Sequence, residues 1–252
     1  MICRRFFVAN VLGTAVLGAA SLPAGATGRE RILIVLTNTA VVPGSSRRTG
    51  VWASEYTEPF EIFRRAGYEV VVASPAGGPA PVDPRSGSED QVKRIPEAWQ
   101  AMQNTKRLSD LRADEFVAVF LAGGHGTMWD FPESADLARI VASMFELDRP
   151  VGAVCHGPAG LLTARKADGT PWIAGRRVNG FTNAEEAAAG MTRVVPFLLE
   201  DRLRAAGGRF EGGGVFARHV VVDGNLVTGQ NPASSIAVAE AMTAQLQRRA
   251  AR

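Results

Sequence analysis

Cys155 and His156 are the residues of this chain best suited to nucleophilic chemistry. They stand in Pro150-Val151-Gly152-Ala153-Val154-Cys155-His156-Gly157-Pro158-Ala159. A short apolar run stops on a thiol, and an imidazole and small residues follow at once. Such a run reads as a strand ending in a sharp turn that lifts the nucleophile above a sheet, with a helix starting beneath it. Gly157 and Gly160 suit the close backbone approach of that turn. A helix N-terminus at this point favours thiolate over thiol. The plain alternative is a buried structural cysteine, a common fate of a free thiol.

His156 can act as base only where the turn folds its ring back beside the sulfur and a third group holds the ring. A second loop, Gly123-Gly124-His125-Gly126, closes another apolar run. One of the backbone N–H groups of Gly123 and Gly124, with that of His156, could form an oxyanion hole. A simple turn after a strand explains the glycines equally. His125 is read as shaping the pocket and His219 as structural. No His/Cys/carboxylate cluster has metal-ligand spacing, so neither a metal nor another cofactor is expected.

Strands and helices in alternation must position these groups. Past a charged residue at their start (Arg31, Glu69) in the first two, Arg31–Leu36, Tyr68–Ala73 and Phe116–Leu121 are unbroken apolar runs, the pattern of strands covered on both faces. Aromatic and apolar residues at helical spacing predict a helix over Trp52–Ala66, ended by Gly67. Further helices are expected over Ser134–Phe145, Val194–Ala206 and Ala233–Arg248, and a short strand over Val178–Thr182. Ser74–Gly87 reads as a Pro- and Gly-rich surface loop, and Val220–Thr228 as a hairpin about Asp223-Gly224. The fold class is therefore α/β, a mainly parallel sheet sandwiched by helices, with the ligand crevice at the carboxyl ends of the strands.

The N-terminus reads differently from the rest. A basic start, an apolar run from Phe6 to Leu22 and Ala24-Gly25-Ala26 have the pattern of a cleavable signal peptide over residues 1–26. A membrane anchor is the alternative, but the run is shorter than the ~20 residues a spanning helix needs. Arg4-Arg5-Phe6-Phe7 resembles a twin-arginine signal, and an ordinary secretory signal fits as well. The expected protein is thus exported, periplasmic or secreted, with one domain over residues 27–252 and no stable membrane insertion. Of the chain's two cysteines, Cys3 leaves with the leader, so no disulfide is expected within the mature chain. A formal net charge of only +3 gives no sign of a nucleic-acid partner.

Taken in order, several segments resemble the ThiJ/PfpI superfamily, which shares the flavodoxin-like fold of class I glutamine amidotransferases. They are Gly50-Val51-Trp52 leading to Glu55 and Pro59, Ala66-Gly67-Tyr68-Glu69-Val70, Ala73-Ser74-Pro75 and Asp83-Pro84-Arg85-Ser86. The Gly123–Gly126 loop, the cysteine elbow, Gly180-Phe181-Thr182-Asn183 and Thr228-Gly229-Gln230-Asn231-Pro232 complete the match. The chain looks most like the branch holding cofactor-independent glyoxalase III enzymes and heat-shock holding chaperones. That resemblance implies that Glu55 faces the cysteine and shares a proton with it or with substrate. It implies Glu186 as the triad acid, with Glu185 one residue away as the alternative. It also implies a homodimer.

The resemblance implies a lyase converting methylglyoxal or a related small 2-oxoaldehyde to a 2-hydroxy acid through a Cys155 hemithioacetal. A cysteine hydrolase, amidase or peptidase, could use the same triad. A holding chaperone or redox sensor is the non-enzymatic reading. A glutamine amidotransferase is disfavoured, because His156 adjoins Cys155 instead of lying far downstream.

Overall fold

A computed structural model describes residue 1 and residues 28–251. Apart from Met1, the leader read from the sequence lies outside the described residues. In chain order the main elements are β1 (Arg31–Val35), α1 (Ala53–Arg65), β2 (Glu69–Ser74), α2 (Glu89–Lys93), α3 (Pro96–Gln103) and β3 (Lys106–Arg107). There follow β4 (Ala118–Leu121), α4 (Thr127–Asp130), α5 (Ala135–Glu146) and β5 (Val151–Val154). The last are β6 (Arg177–Val178), α6 (Asn183–Ala188), α7 (Leu199–Ala205), β7 (Arg209–Phe210), β8 (Val220–Asp223), β9 (Leu226–Gly229) and α8 (Ser235–Ala250).

Seven strands form one sheet in the order β3-β2-β1-β4-β5-β9-β8, and β6 pairs with β7 separately. Every neighbour in the large sheet is parallel except the β8–β9 hairpin. The unbroken apolar runs have the cause expected of them. On β1, Ile32 and Ile34 share a core with Tyr56 and Phe63 of α1 and Met242 of α8. Leu33 and Val35 between them share the opposite core with Ile140, Val141 and Met144 of α5. Each central strand is thus buried on both faces, and only its carboxyl end is free to present chemistry.

Three local expectations need correction. No α-helix begins beneath Cys155; Gly157–Leu161 is a 3₁₀ turn. Its Gly-Pro-Ala-Gly sequence is poor in helix formers, and a Cβ on Gly157 would meet the Leu121 carbonyl. The helix expected from Val194 begins only at Leu199; Pro196 disfavours helical backbone in the residue before it. The strand expected over Val178–Thr182 ends at Val178, and Thr182 instead caps α6.

Candidate active site

The carboxyl ends of β4 and β5 bring the two expected loops together. Cys155 follows β5 with φ of 58°, a left-handed conformation costing a non-glycine residue about 1–3 kcal/mol. Flanking structure holds it there, because Cys155 N donates to the Gly229 carbonyl at 2.9 Å and the Phe181 N–H donates to the Cys155 carbonyl at 2.8 Å. The thiol is buried. His156 does fold back, its Nδ1 standing 3.3 Å from Cys155 Sγ. Its Nε2 lies 2.8 Å from Glu186 Oε2. Glu186 is therefore the carboxylate that meets His156.

Glu185 is occupied elsewhere. Its Oε2 accepts from the N–H and hydroxyl of Thr182, and its Oε1 from Phe216 N–H, Gln230 Nε2 and Asn231 Nδ2. The two acids lie on neighbouring positions of α6 and serve different networks.

His125 takes a larger part than pocket shape. Its Nε2 lies 2.8 Å from Glu186 Oε1, and Arg85 Nη2 lies 2.8 Å from its Nδ1. A guanidinium can only donate, so His125 Nδ1 accepts and the ring's proton sits on Nε2, donated to Glu186. Asp83 anchors Arg85 through both carboxylate oxygens and is itself fully buried. A continuous line runs Asp83–Arg85–His125–Glu186–His156–Cys155. Arg85 and Asp83 had no role from sequence alone; the only signal was the Asp83-Pro84-Arg85-Ser86 segment. The ligand atoms of His125, His156 and Glu186 lie within 4.8 Å of one another, a cluster that sequence spacing did not suggest. Arg85 turns the His125 Nε2 hydrogen toward its centre, so a cation there would require that contact to break.

Electrostatics sort the protons. Burial would raise the Glu186 carboxyl, but the proximity of His156 and the N–H donors of His125 and His156 hold it well below the ordinary range. Burial, then the neighbouring His156, lowers His125 to about 4, despite the opposing pull of Glu186. Both results fit an ionised Glu186 accepting from a neutral His125.

Glu55, in the first turn of α1, is fully buried beside the thiol. Neither carboxylate oxygen has a hydrogen-bond partner of good geometry. The approach of the Cys155 thiol and the Gly123 amide only partly offsets burial, which drives the Glu55 carboxyl well above its usual range. Burial, then the Glu55 charge, also pushes the Cys155 thiol well up, with the Gly124 and His156 amides opposing. This corrects the expectation of a helix-stabilised thiolate: there is no helix, and a second acid stands beside the sulfur.

The glycine loop divides its work accordingly. The Gly123 amide opposes the rise of Glu55, and the Gly124 amide opposes that of Cys155. Gly123 has no room for a side chain, since a Cβ there would meet Glu55 Oε2, the Val154 carbonyl and Cys155 Cβ. Gly124 has φ of 102°, which only glycine adopts freely. Above these groups is a cavity of about 320 Å³, walled by Trp52, Phe181, Ala189, Phe216 and Pro232 and reached by Arg85, His125 and Cys155.

Residues 48–245 match the DJ-1/PfpI family. The chain belongs to that family. Among DJ-1/PfpI relatives, Glyoxalase 3 of Candida albicans is 31% identical over 225 residues, covering 83% of this chain and 95% of the relative. The glutathione-independent glyoxalase HSP31 of Saccharomyces cerevisiae is 30% identical over 222 residues, covering 82% and 93%. The crystal structure of the Candida glyoxalase III superposes with a TM-score of 0.78 at 31% identity, over 85% of this chain and 96% of the other. Rapid Encystment Protein 24 kDa of Francisella tularensis gives 0.83 at 34% identity, over 86% and 99%. The kinship also overturns the expected location: the curated relatives that match are glyoxalases of yeasts, which are eukaryotes. Among the described residues no helix is long and apolar enough to cross a membrane.

Proposed function

We propose that this protein is a glutathione-independent glyoxalase that converts 2-oxoaldehydes to 2-hydroxy acids on Cys155. The observation that carries the reading is Glu55, a buried carboxyl without a good partner, set against a cysteine that already has its own His156–Glu186 couple. A simple hydrolase needs one base. An internal redox reaction that moves a hydrogen between adjacent carbons needs a second proton carrier, and Glu55 stands where one is required.

Attack on the aldehyde carbon forms the S–C bond, and the thiol proton passes to His156 Nδ1. Glu186 stabilises the imidazolium. The amides of Gly124 and His156 receive the developing alkoxide, which takes the Glu55 proton to give the hemithioacetal. The Glu55 carboxylate then removes the hydrogen from the former aldehyde carbon while His156 protonates the adjacent carbonyl oxygen, giving an enediol. Glu55 returns its proton to the second carbon, and His156 takes the hydroxyl proton from the first, leaving a thioester. Water hydrolyses the thioester: its hydroxyl joins the acyl carbon, its proton goes to Glu55, and the sulfur recovers its proton from His156. Substrate and water account for every atom of the hydroxy acid.

The test is lactate formation from methylglyoxal without glutathione, beside Cys155→Ala. Turnover that disappears in the variant supports the reading, and a wild-type protein that forms no lactate overturns it. The heat-shock element in the yeast relative's name supports a stress-linked role only coarsely. A holding-chaperone activity would survive Cys155→Ala, which separates it from catalysis.

A further inference from the structure

We infer that Phe216 is a specificity-determining residue, and that it selects 2-oxoaldehydes bearing an aryl or bulky apolar substituent over methylglyoxal. The inference rests on the glyoxalase reading and adds a preferred substrate class to it. The reacting end of the substrate is fixed by Cys155 and the amides beside it, so the rest of the cavity must take whatever the second carbon carries. That cavity is about 320 Å³. A void of about 150 Å³ lined by apolar side chains already admits benzene, and cavities enclosing drug-sized ligands begin near 300 Å³. A methyl group leaves most of this space unfilled. Its walls are Trp52, Phe181, Ala189, Phe216 and Pro232, which offer stacking and edge contacts to a ring and poor partners to water.

Phe216 is the wall residue whose placement costs the most. It is about half exposed, at 51%, and its φ is 56°. Left-handed backbone is rare for a bulky side chain and persists only where the surroundings impose it. Here they do, through polar side chains that are themselves buried. The Phe216 N–H donates to Glu185 Oε1 at 2.9 Å, Gly213 N–H to Gln230 Oε1 at 2.6 Å, and Asn231 Nδ2 to the Ala217 carbonyl at 2.7 Å. Gln230 and Asn231 donate to the same Glu185 oxygen. An exposed phenylalanine adds little to the core, yet a buried carboxylate and two buried amides hold its loop over the nucleophile. Its ring centroid lies 6.2 Å from that of Phe181, which in turn lies 4.5 Å from the His156 ring. The two phenylalanines thus extend the apolar wall outward from the triad.

The experiment compares kcat/KM, from initial rates, for phenylglyoxal giving mandelate and methylglyoxal giving lactate. It uses the wild-type chain, Phe216→Ala and Phe216→Trp. We expect the wild type to favour phenylglyoxal. The phenyl-to-methyl ratio should fall about tenfold or more in Phe216→Ala, within the range one apolar contact supplies, and return toward wild type in Phe216→Trp. A wild type that favours methylglyoxal, or an unchanged ratio in Phe216→Ala, overturns the inference and leaves the glyoxalase reading standing. If neither aldehyde yields its hydroxy acid, both fall.

Discussion

Arg85 donates through Nη2 to Nδ1 of His125 across 2.8 Å, and this contact sets the protons of the whole site. With Nδ1 engaged, His125 presents Nε2–H to Glu186. The Glu186 carboxylate, accepting there, remains free to accept a second N–H from His156 Nε2. The His156 lone pair is then on Nδ1, facing the thiol. Arg85 is thus a positioning residue three contacts away from the base. Replacing Arg85 with Met should lower kcat by about ten- to a hundredfold, as loss of an outer-shell partner of histidine commonly does, and Arg85→Lys should recover part of it. A merely structural arginine would lower melting temperature without altering the acid limb of the kcat–pH profile. Here that limb should move upward in Arg85→Met, because His125 loses the cationic neighbour that opposes its protonation.

Glu186→Gln tests the same logic at the next contact. While Arg85 holds His125 Nε2–H in place, the glutamine oxygen must accept from His125, and its amide NH₂ is left facing His156 Nε2. His156 must then carry its proton on Nδ1, pointing at the sulfur, and loses its basic lone pair there. A wrong tautomer costs about 10⁴-fold in the serine-protease triad, and a loss of kcat on the order of 10³–10⁴ is expected here. Glu185→Gln should spare that chemistry and act through the Phe216 loop. Equal kcat losses in the two variants would refute the division of labour between the neighbouring acids.

The same pair shows how far the sequence could be read. The strands, the cysteine elbow and the meeting of two strand ends follow from apolar runs and glycines, because burial on both faces leaves a periodicity that residue types record. Glu55, Cys155, His156 and Glu186 also lie together in the fold. What stayed hidden depends on direction, not on residue type. Nothing in Glu185-Glu186 says which carboxylate turns toward a histidine thirty residues earlier in the chain, since both suit the first turn of a helix. His125 looked like lining because its partner Arg85 comes from a separate loop. The thiolate expectation failed for a related reason: it assumed a helix, whereas the rise of the Cys155 thiol comes from burial and from Glu55, which the fold delivers from α1.

Cys155 should therefore be slow to alkylate near neutral pH. Cys155 is the free cysteine among the described residues, so mass spectrometry of its peptide isolates the rate from that of Cys3. With iodoacetamide the rate should keep climbing with pH beyond the ordinary thiol range near 8.5, without the early plateau of a low-pKa thiol. Glu55→Gln removes the charge that Glu55 carries once it has ionised, and should raise the rate at alkaline pH. A plateau below pH 7 in the wild type would contradict the raised thiol.

Glu55 links function to stability. Its folded-state pKa lies well above the unfolded value because burial disfavours the anion. The unfolded chain releases that proton at ordinary acidic pH, whereas the folded chain retains it to higher pH. Between those two pKa values the retained proton makes folding progressively less favourable as pH rises. Below the unfolded value the penalty is absent. Glu55→Gln, neutral at every pH, should therefore raise the melting temperature at pH 7, and the gain should shrink toward pH 4. The same variant should lose activity by about 10²–10⁴-fold, the usual contribution of a positioned acid or base. A melting-temperature gain independent of pH would show that the glutamine packs better, not that the carboxyl is strained. Unaltered turnover in Glu55→Gln would remove Glu55 from the proton path and leave His156 as the carrier for both carbons.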